Sequence, residues 1–434
     1  MNPVSTSPAL SSSSSVYRLL HSHRFLKYCL VAFMPMVLTR QMLGFFGINL
    51  GPYSLPFLLL GLLLAVLSWK NRPRNALVLL MTGFIIYCVI SGCLFVFHDV
   101  PIRGYLMDLS MYVLPMAFFF IGANNVNTGD DFEKSFVLFC SGFMALGIYA
   151  YSTTPAWYVQ WLSALSATQR FGTEVLSYQR FSAFWGTSYP VAYLGMSGLC
   201  YSFFRLESSS SRLGKGIAVL GIFIFWISCI LCQQRASMVC ATLVAVAELL
   251  YAIVVLKRKL AALLVASVFL IVSCGFLVTV ISSSTRTEFI HGRISERLSK
   301  MDSAMSERTI QYETMWRNWN SEFVGYGIGS GGEYAYITGH VGIPDGNYVK
   351  ILYEQGLIGL TWIVAILLAS LLRAWKFFLF FRFEAYLICC YCICAIGASA
   401  FCNGSGLYAV PLWYAVGRIW NSAELTRRRE VIPA

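Results

Sequence analysis

The chain has 434 residues, of which 57% are hydrophobic and only 12% are charged. Ordinary globular proteins contain roughly 45–50% apolar and about 25% charged residues. This composition excludes a water-soluble globular protein and predicts a polytopic membrane protein. The formal net charge of +12 does not indicate nucleic-acid binding, because the basic residues lie beside apolar runs, where they orient membrane proteins.

Apolar runs long enough to cross a bilayer as a helix recur along the chain. There are about twelve of them, and they lie near 25–45, 53–69, 76–97, 105–122, 135–153, 187–204, 216–231, 237–256, 260–282, 347–372, 385–402 and 405–420. They predict an all-α fold, a bundle of transmembrane helices. The 14 cysteines lie in or beside these runs, which favours apolar packing over a disulfide framework or a zinc site.

Lys and Arg are distributed unequally between the two sides that these runs define. If the N-terminus is cytoplasmic, 20 of the 32 basic residues fall on the cytoplasmic side, in agreement with the positive-inside rule. The sequence thus predicts five segments, with both termini in the cytoplasm. They are a tail at 1–24, nine spans in 25–282, an extracytoplasmic loop at 283–346, three spans in 347–420 and a tail at 421–434.

The predicted loop at 283–346 is far longer than the usual connection of about 4–6 residues, and its aromatic residues favour an ordered structure. Thr309, Tyr312 and Trp316 recur at three- and four-residue steps, which predicts one face of a helix. Glu313 precedes Arg317 by four residues, a favourable ion pair on a helix surface. We expect this helix either at the headgroup boundary or packed on the bundle.

A glycine-rich run follows, with the sequence Gly325-Tyr326-Gly327-Ile328-Gly329-Ser330-Gly331-Gly332. No βαβ pattern surrounds it, so a nucleotide-binding loop is not favoured. Glycines permit tight turns and the close approach of another group, which is the simpler interpretation. The alternative is a diphosphate bound by backbone amides.

Three arginines lie at the predicted outer ends of helices. They are Arg180, Arg235 and Arg308. A single charge there is explained equally well as a topology signal or a side chain that extends to the interface. Three on one side favour a binding site, because the planar guanidinium binds two phosphate oxygens at once. Together they could hold a lipid-linked diphosphate.

Several of these features also occur together in a known family. In chain order they are Ser306-Glu307-Arg308, Trp316, the glycine run, and the helix start Asp345-Gly346-Asn347-Tyr348-Val349-Lys350-Ile351-Leu352-Tyr353-Glu354-Gln355-Gly356-Leu357-Ile358-Gly359. On these pieces the chain resembles the O-antigen polymerase and O-antigen ligase superfamily, which are bacterial inner-membrane enzymes with a long periplasmic loop between late spans. The resemblance is clearest from Arg180 to Leu360.

One position favours the polymerase branch of that superfamily. The ligase motif reads His-Asn/Ser/Gln, nine further residues, then Gly-x-x-Gly. Here Gly356 and Gly359 supply the glycines, Gly346 takes the second position and Asp345 takes the histidine position, whereas His340 comes too early. The resemblance therefore implies a lipopolysaccharide-related polymerase without the ligase histidine.

The implied reaction moves a glycan from undecaprenyl diphosphate to a sugar hydroxyl of a second undecaprenyl-diphosphate-linked repeat unit, with no metal or other cofactor. Partners would be these lipid-linked oligosaccharides, with a chain-length regulator and a flippase. The implied site residues are catalytic Arg180, Arg308 and Asp345, and substrate-binding Arg235, Arg317, Gly327, Gly329 and Asn347. Asp345 is explained equally well as the N-cap of the next helix.

Two other functions remain open. One is O-antigen ligase, and the other is a flippase or transporter for a lipid-linked oligosaccharide. A transporter would share the many spans and inward arginines, but it would not need a long ordered outer loop. Transporters also often show repeats between their halves, and none is evident here.

Overall fold

The computed structural model describes residues 75–96, 102–123, 129–168, 181–185, 188–232, 234–255, 257, 309, 312–313, 316–317, 323–331, 346–398, 400–401 and 407–421. Within these residues the regular structure is helical. The helices are α1 (Ala76–Val96), α2 (Ile102–Ala123), α3 (Gly129–Thr153), α4 (Ala156–Thr168), α5 (Ser188–Ser208), α6 (Arg212–Leu231), α7 (Arg235–Val254), α8 (Asn347–Lys376), α9 (Phe378–Gly397) and α10 (Val410–Ile419), with a 3₁₀ turn at Leu407–Ala409.

These helices confirm the predicted fold class, a polytopic bundle of membrane helices. Five described helices are long and apolar enough to cross a membrane: α3 from Phe132 onward, α6, α7, α8 and α9. Each predicted span between 76 and 256, and each after 347, coincides with a helix. The predicted spans at 25–45, 53–69 and 260–282 lie outside the described residues, so the total of about twelve spans remains a prediction.

The junction of α8 and α9 differs from the expected loop. The predicted span at 385–402 begins at Phe378 instead, because only Phe377 separates the two helices. Arg382 and Glu384, which precede the predicted span, therefore lie inside α9 and are buried. Buried charge in an apolar helix requires partners, and the partners are on neighbouring helices.

Two buried ion-pair networks surround this junction. Arg382 bonds Glu248 at 3.1 Å and also pairs with Glu207. Arg418 pairs with Glu133 and lies 3.9 Å from Glu384. All of these carboxylates and guanidiniums come from helix ends that the sequence places on the cytoplasmic side. Their contacts therefore agree with the predicted alternation of helix directions.

The shortest of these helices, α10, lies at the centre of the described bundle. Each of its ten residues is buried, although its length of about 15 Å is too short to span a bilayer alone. Pro411 stands in its first turn, where proline is tolerated. Gly122 of α2 and Gly417 of α10 lie so close to the opposite backbone that a Cβ would come within 2.3 Å and 2.2 Å of a carbonyl oxygen. Small residues thus let the helices pack closely, as is common in membranes.

Candidate functional site

The glycine loop, defined here as residues 323–331, is bound to the backbone of α8. The amide of Tyr326 donates to the carbonyl of Tyr353 at 2.9 Å, and the amide of Gly327 donates to the carbonyl of Glu354 at 2.7 Å. These bonds are possible because α8 is broken at Gly356, whose φ of 64° and ψ of −168° are not helical. The simpler interpretation of the glycine run is therefore confirmed, and the group that approaches it is the α8 backbone.

The carboxylate of Glu354 lies against the same loop. Its Oε1 accepts hydrogen bonds from the amides of Gly329 and Gly331, both at 3.2 Å. Its Oε2 accepts a hydrogen bond from the Tyr112 hydroxyl of α2, and the residue is fully buried. In this structure the glycine amides thus bind a side-chain oxygen of the protein itself.

A lysine lies between this carboxylate and a second one. Lys350 Nζ is 3.9 Å from Glu354 Oε1 and 4.0 Å from Asp108 Oδ2. Both distances are longer than a direct hydrogen bond, and Asp108 Oδ2 has no hydrogen-bond partner among the residues that the structure describes. We name Asp108, Tyr112, Lys350 and Glu354 the outer cluster. Its members are at most 5% exposed, and ionisable groups at such depth in a membrane helix commonly mark a functional site.

The start of α8 is held from two directions. The Asn347 side-chain oxygen accepts a hydrogen bond from the amide of Phe401 at 2.6 Å, and the Tyr348 hydroxyl donates to the carbonyl of Cys392 at 3.2 Å. The Tyr312 hydroxyl is also close, because a Cβ on Gly346 would lie 2.9 Å from it. Residues of the long loop therefore contact the point at which α8 begins.

Arg235 belongs to another corner of the bundle. It is the exposed first residue of α7, and its neighbour Gln234 donates to the Ser188 hydroxyl of α5 at 2.8 Å. The amide of Phe181, the residue after Arg180, donates to the carbonyl of Leu231 at 3.2 Å. Phe181 and Gln234, each next to one of these arginines in the chain, thus both lie at the junction of α5, α6 and α7.

The predicted site residues divide into two groups. Arg180, Arg308 and Asp345 lie outside the described residues. Arg317 is described: its side chain is 80% exposed and pairs with Glu313 at 3.7 Å, which confirms the predicted surface pair. Thr309, Tyr312 and Trp316 are helical, as predicted. The binding roles of Arg235, Arg317, Gly327, Gly329 and Asn347 remain predictions.

The outer cluster was not predicted from the sequence. A signal for half of it exists, because Lys350 and Glu354 are spaced by one helical turn inside an apolar run, where charge is costly. Asp108 and Tyr112 give no comparable signal. They precede Lys350 and Glu354 by more than 200 residues, and only the fold brings the two pairs together, since α2 and α8 both pack on α1 and α10.

The fold and the buried charges define a polytopic helical membrane protein with a polar site at the start of α8. A family model described as O-antigen ligase matches residues 220–364, which contain the glycine loop, the start of α8 and the kink at Gly356. The match supports the O-antigen ligase and polymerase superfamily and does not distinguish the two branches. No curated protein matches the chain.

Proposed function

We propose that the protein is an O-antigen-type polysaccharide polymerase of the bacterial inner membrane. The supporting observation is that three separate segments of the sequence, the long loop, the glycine loop and the part of α8 before its kink, contact one another. Tyr312 of the long loop contacts Gly346, and the glycine loop binds α8 through Glu354. Arg308 precedes Tyr312 by four residues and Asp345 precedes Gly346 directly, so both proposed catalytic positions are next to this junction in the chain.

The proposed reaction is a displacement at the anomeric carbon of the donor glycan. The bond from that carbon to the diphosphate oxygen breaks, and a bond to the acceptor hydroxyl oxygen forms. The diphosphate leaves with the bonding electron pair, and its charge is stabilised by Arg180 and Arg308, with Arg235 and Arg317 as further contacts. Asp345 receives the proton of the acceptor hydroxyl.

Because arginines stabilise the leaving diphosphate in this proposal, no metal ion is required for that step. Substrate-binding contacts are assigned to Gly327, Gly329 and Asn347. The two glycines bind Glu354 in the present structure, so their contribution is the shape of the loop backbone. Both substrates are undecaprenyl-diphosphate-linked oligosaccharides, and a flippase and a chain-length regulator are the proposed partners.

Asp345, at the histidine position of the ligase motif, supports polymerase over ligase. An aspartate has a lower ordinary pKa than imidazole and is the weaker base. A polymerase tolerates this if positioning and leaving-group stabilisation supply most of the rate. The ligase assignment is the second candidate, and the described family match is compatible with it.

A deletion strain separates the candidate functions. Loss of a polymerase leaves lipid A-core capped with a single repeat unit, since a separate ligase still works. Loss of a ligase leaves bare core, and long polymer accumulates on undecaprenyl diphosphate. Loss of a flippase leaves bare core with single repeat units stranded on the lipid. Gel analysis of lipopolysaccharide, together with analysis of the lipid-linked pool, distinguishes these three outcomes. Either outcome with bare core contradicts the polymerase proposal.

A further inference from the structure

Glu354 is the one carboxylate of the outer cluster that touches the glycine loop in the described contacts. One of its oxygens binds Gly329 and Gly331, and the other binds Tyr112. The side chain thus joins three parts of the protein: the loop, α2, and the part of α8 before the kink. Hydrogen bonds to an ionised acceptor are roughly twice as strong as neutral ones, so the charge matters as well as the shape.

Because of its position along α8, Glu354 helps to orient the part of the helix that precedes the kink. The break at Gly356 separates residues 347–355 from the rest of the span, so the direction of the helix does not by itself orient this short segment. Contacts on its sides must do so. Asn347 and Tyr348 supply some of them at the start of the segment. Glu354 supplies others two residues before the break, and Lys350 lies one turn nearer the helix start.

We propose that Glu354 is a positioning residue for the candidate site. Its carboxylate holds the glycine loop against residues 347–355 of α8, and thereby fixes the loop backbone relative to Gly346, the residue before the helix. Lys350 balances its charge. The link to glycan transfer rests on the proposed function, whereas the anchoring of the loop does not.

The anchoring is tested with a thiol placed in the loop. Ser330 is 3% exposed, and its hydroxyl donates to the carbonyl of Gly327 at 2.7 Å, so Ser330→Cys fits the same space. In the purified full chain in detergent, a maleimide reagent should label this thiol slowly, because labelling follows exposure. Phe323→Cys, at a position 67% exposed, should label fast in every background. Labelling of the parent chain, which has native cysteines, is subtracted.

Two carboxylate-to-amide changes are then compared. Glu354→Gln and Asp108→Asn both keep side-chain size and both remove one negative charge beside Lys350, but only Glu354 bonds the loop. We expect Glu354→Gln to raise the labelling rate of the Ser330→Cys thiol about tenfold, the factor that about 1.4 kcal/mol of weakened hydrogen bonding produces. Asp108→Asn should leave that rate unchanged. Equal rates in the two backgrounds would overturn the anchoring.

Glycan transfer is the second measurement, made by complementing the deletion strain. Glu354→Gln should restore polymer at least about tenfold more slowly per membrane-inserted chain than wild type. Glu354→Asp, which keeps the charge, should regain part of the rate. Tyr105→Phe is the control. Tyr105 lies on α2, as Tyr112 does, and the change removes its hydrogen bond to the carbonyl of Val89 on α1. The rate of polymer formation should be normal in this variant.

The outcomes separate the two proposals. Faster labelling together with a wild-type rate for Glu354→Gln would overturn the positioning role and leave the proposed function intact. If the deletion strain instead lacks ligase or flippase activity, the proposed function fails. The labelling comparison keeps its meaning in that case, because it requires no glycan substrate.

Discussion

Gly325 and Gly356 meet backbone to backbone, although 30 residues separate them in the chain. A Cβ on Gly325 would lie 2.5 Å from the amide nitrogen of Gly356, and a Cβ on Gly356 would lie 2.2 Å from the carbonyl oxygen of Phe323. Both glycines also have positive φ, 75° and 64°, a region that residues with a side chain rarely adopt. The glycine-rich run and the Gly-x-x-Gly helix are thus two halves of one contact.

Gly325→Ala and Gly356→Ala should therefore each prevent the loop from docking. The clash is with backbone atoms, which cannot rotate away, and the positive φ adds a cost of about 1 kcal/mol or more. We expect each variant to lose most of its complementing activity in the deletion strain. The measurement is the amount of polymer formed per molecule of the protein recovered in the membrane.

Gly142→Ala is the matched control for these two changes. Gly142 lies in α3, and a Cβ there would meet nothing within 4 Å. Alanine is also favoured over glycine inside a helix by roughly 0.5–1 kcal/mol. This variant should keep wild-type amounts and activity. Normal activity of Gly356→Ala would show that the docked loop is not needed.

The glycine contact shows how far the sequence could lead. The glycine run and Gly356 were both evident as motifs, because glycine stands out in an apolar sequence. Their pairing was not, since nothing in periodicity or charge assigns a loop to one turn of one helix. The helices were predictable because an apolar run of about 20 residues has one solution in a bilayer. The break at Gly356 was not predictable, because a break in a helix depends on the neighbours of that helix.

Arg382 illustrates a different limit. Its charge contributes to the prediction of the cytoplasmic side, but its burial against Glu207 and Glu248 depends on three helices that are remote in sequence. The same holds for Asp108 in the outer cluster. In an apolar chain, two charges one helical turn apart, such as Lys350 and Glu354, are a signal, but a partner on a remote helix becomes known only from the fold.

The arginines supply the next prediction. Arg308→Ala and Arg180→Ala should abolish polymer formation at near-normal protein levels, because each removes a proposed charge-assisted contact to the diphosphate. Such a contact contributes about 1.5–3 kcal/mol, roughly a tenfold to hundredfold rate effect if it acts in the transition state. Arg308→Lys should also be impaired, because lysine lacks the planar fork. Gel analysis of polymer in complemented strains measures this.

Arg212→Ala is the control for the loss of one arginine. Arg212 is exposed at the start of α6, on the predicted cytoplasmic side and remote in sequence from the motif residues. Its removal should leave polymer length and amount unchanged. Long polymer at wild-type levels from both Arg308→Ala and Arg180→Ala would refute their catalytic assignment.

The predicted orientation can be tested independently of activity. Alkaline phosphatase, which is active outside the cytoplasm, should be active when fused at Ser303 and inactive at the C-terminus. A fluorescent reporter that folds only in the cytoplasm should give the opposite pattern. The reason is the excess of Lys and Arg on one side. A cytoplasmic signal from the Ser303 fusion would place the loop, and with it the candidate site, on the wrong side for this proposal.

The last prediction concerns Arg418, which is 2% exposed and shared by Glu133 and Glu384. Arg418→Gln leaves two buried carboxylates without their cation. Breaking a buried pair in this way costs about 3–5 kcal/mol, a large fraction of the stability of a typical protein. We expect a sharp fall in membrane-inserted protein and a lower melting temperature in detergent. Glu133→Gln in the same chain should recover part of that loss, because it removes one of the two uncompensated charges.

Activity measurements distinguish the network of Arg418, Glu133 and Glu384, named the inner network, from the outer cluster. The chains of Arg418→Gln that do insert should form polymer at a near-normal rate per molecule, since Arg418 lies at the helix end opposite the glycine loop in the predicted topology. Glu354→Gln should show the reverse pattern, with protein present and the rate lost. A low rate per inserted molecule for Arg418→Gln, unchanged by Glu133→Gln, would mean that the inner network takes part in the reaction rather than only in stability.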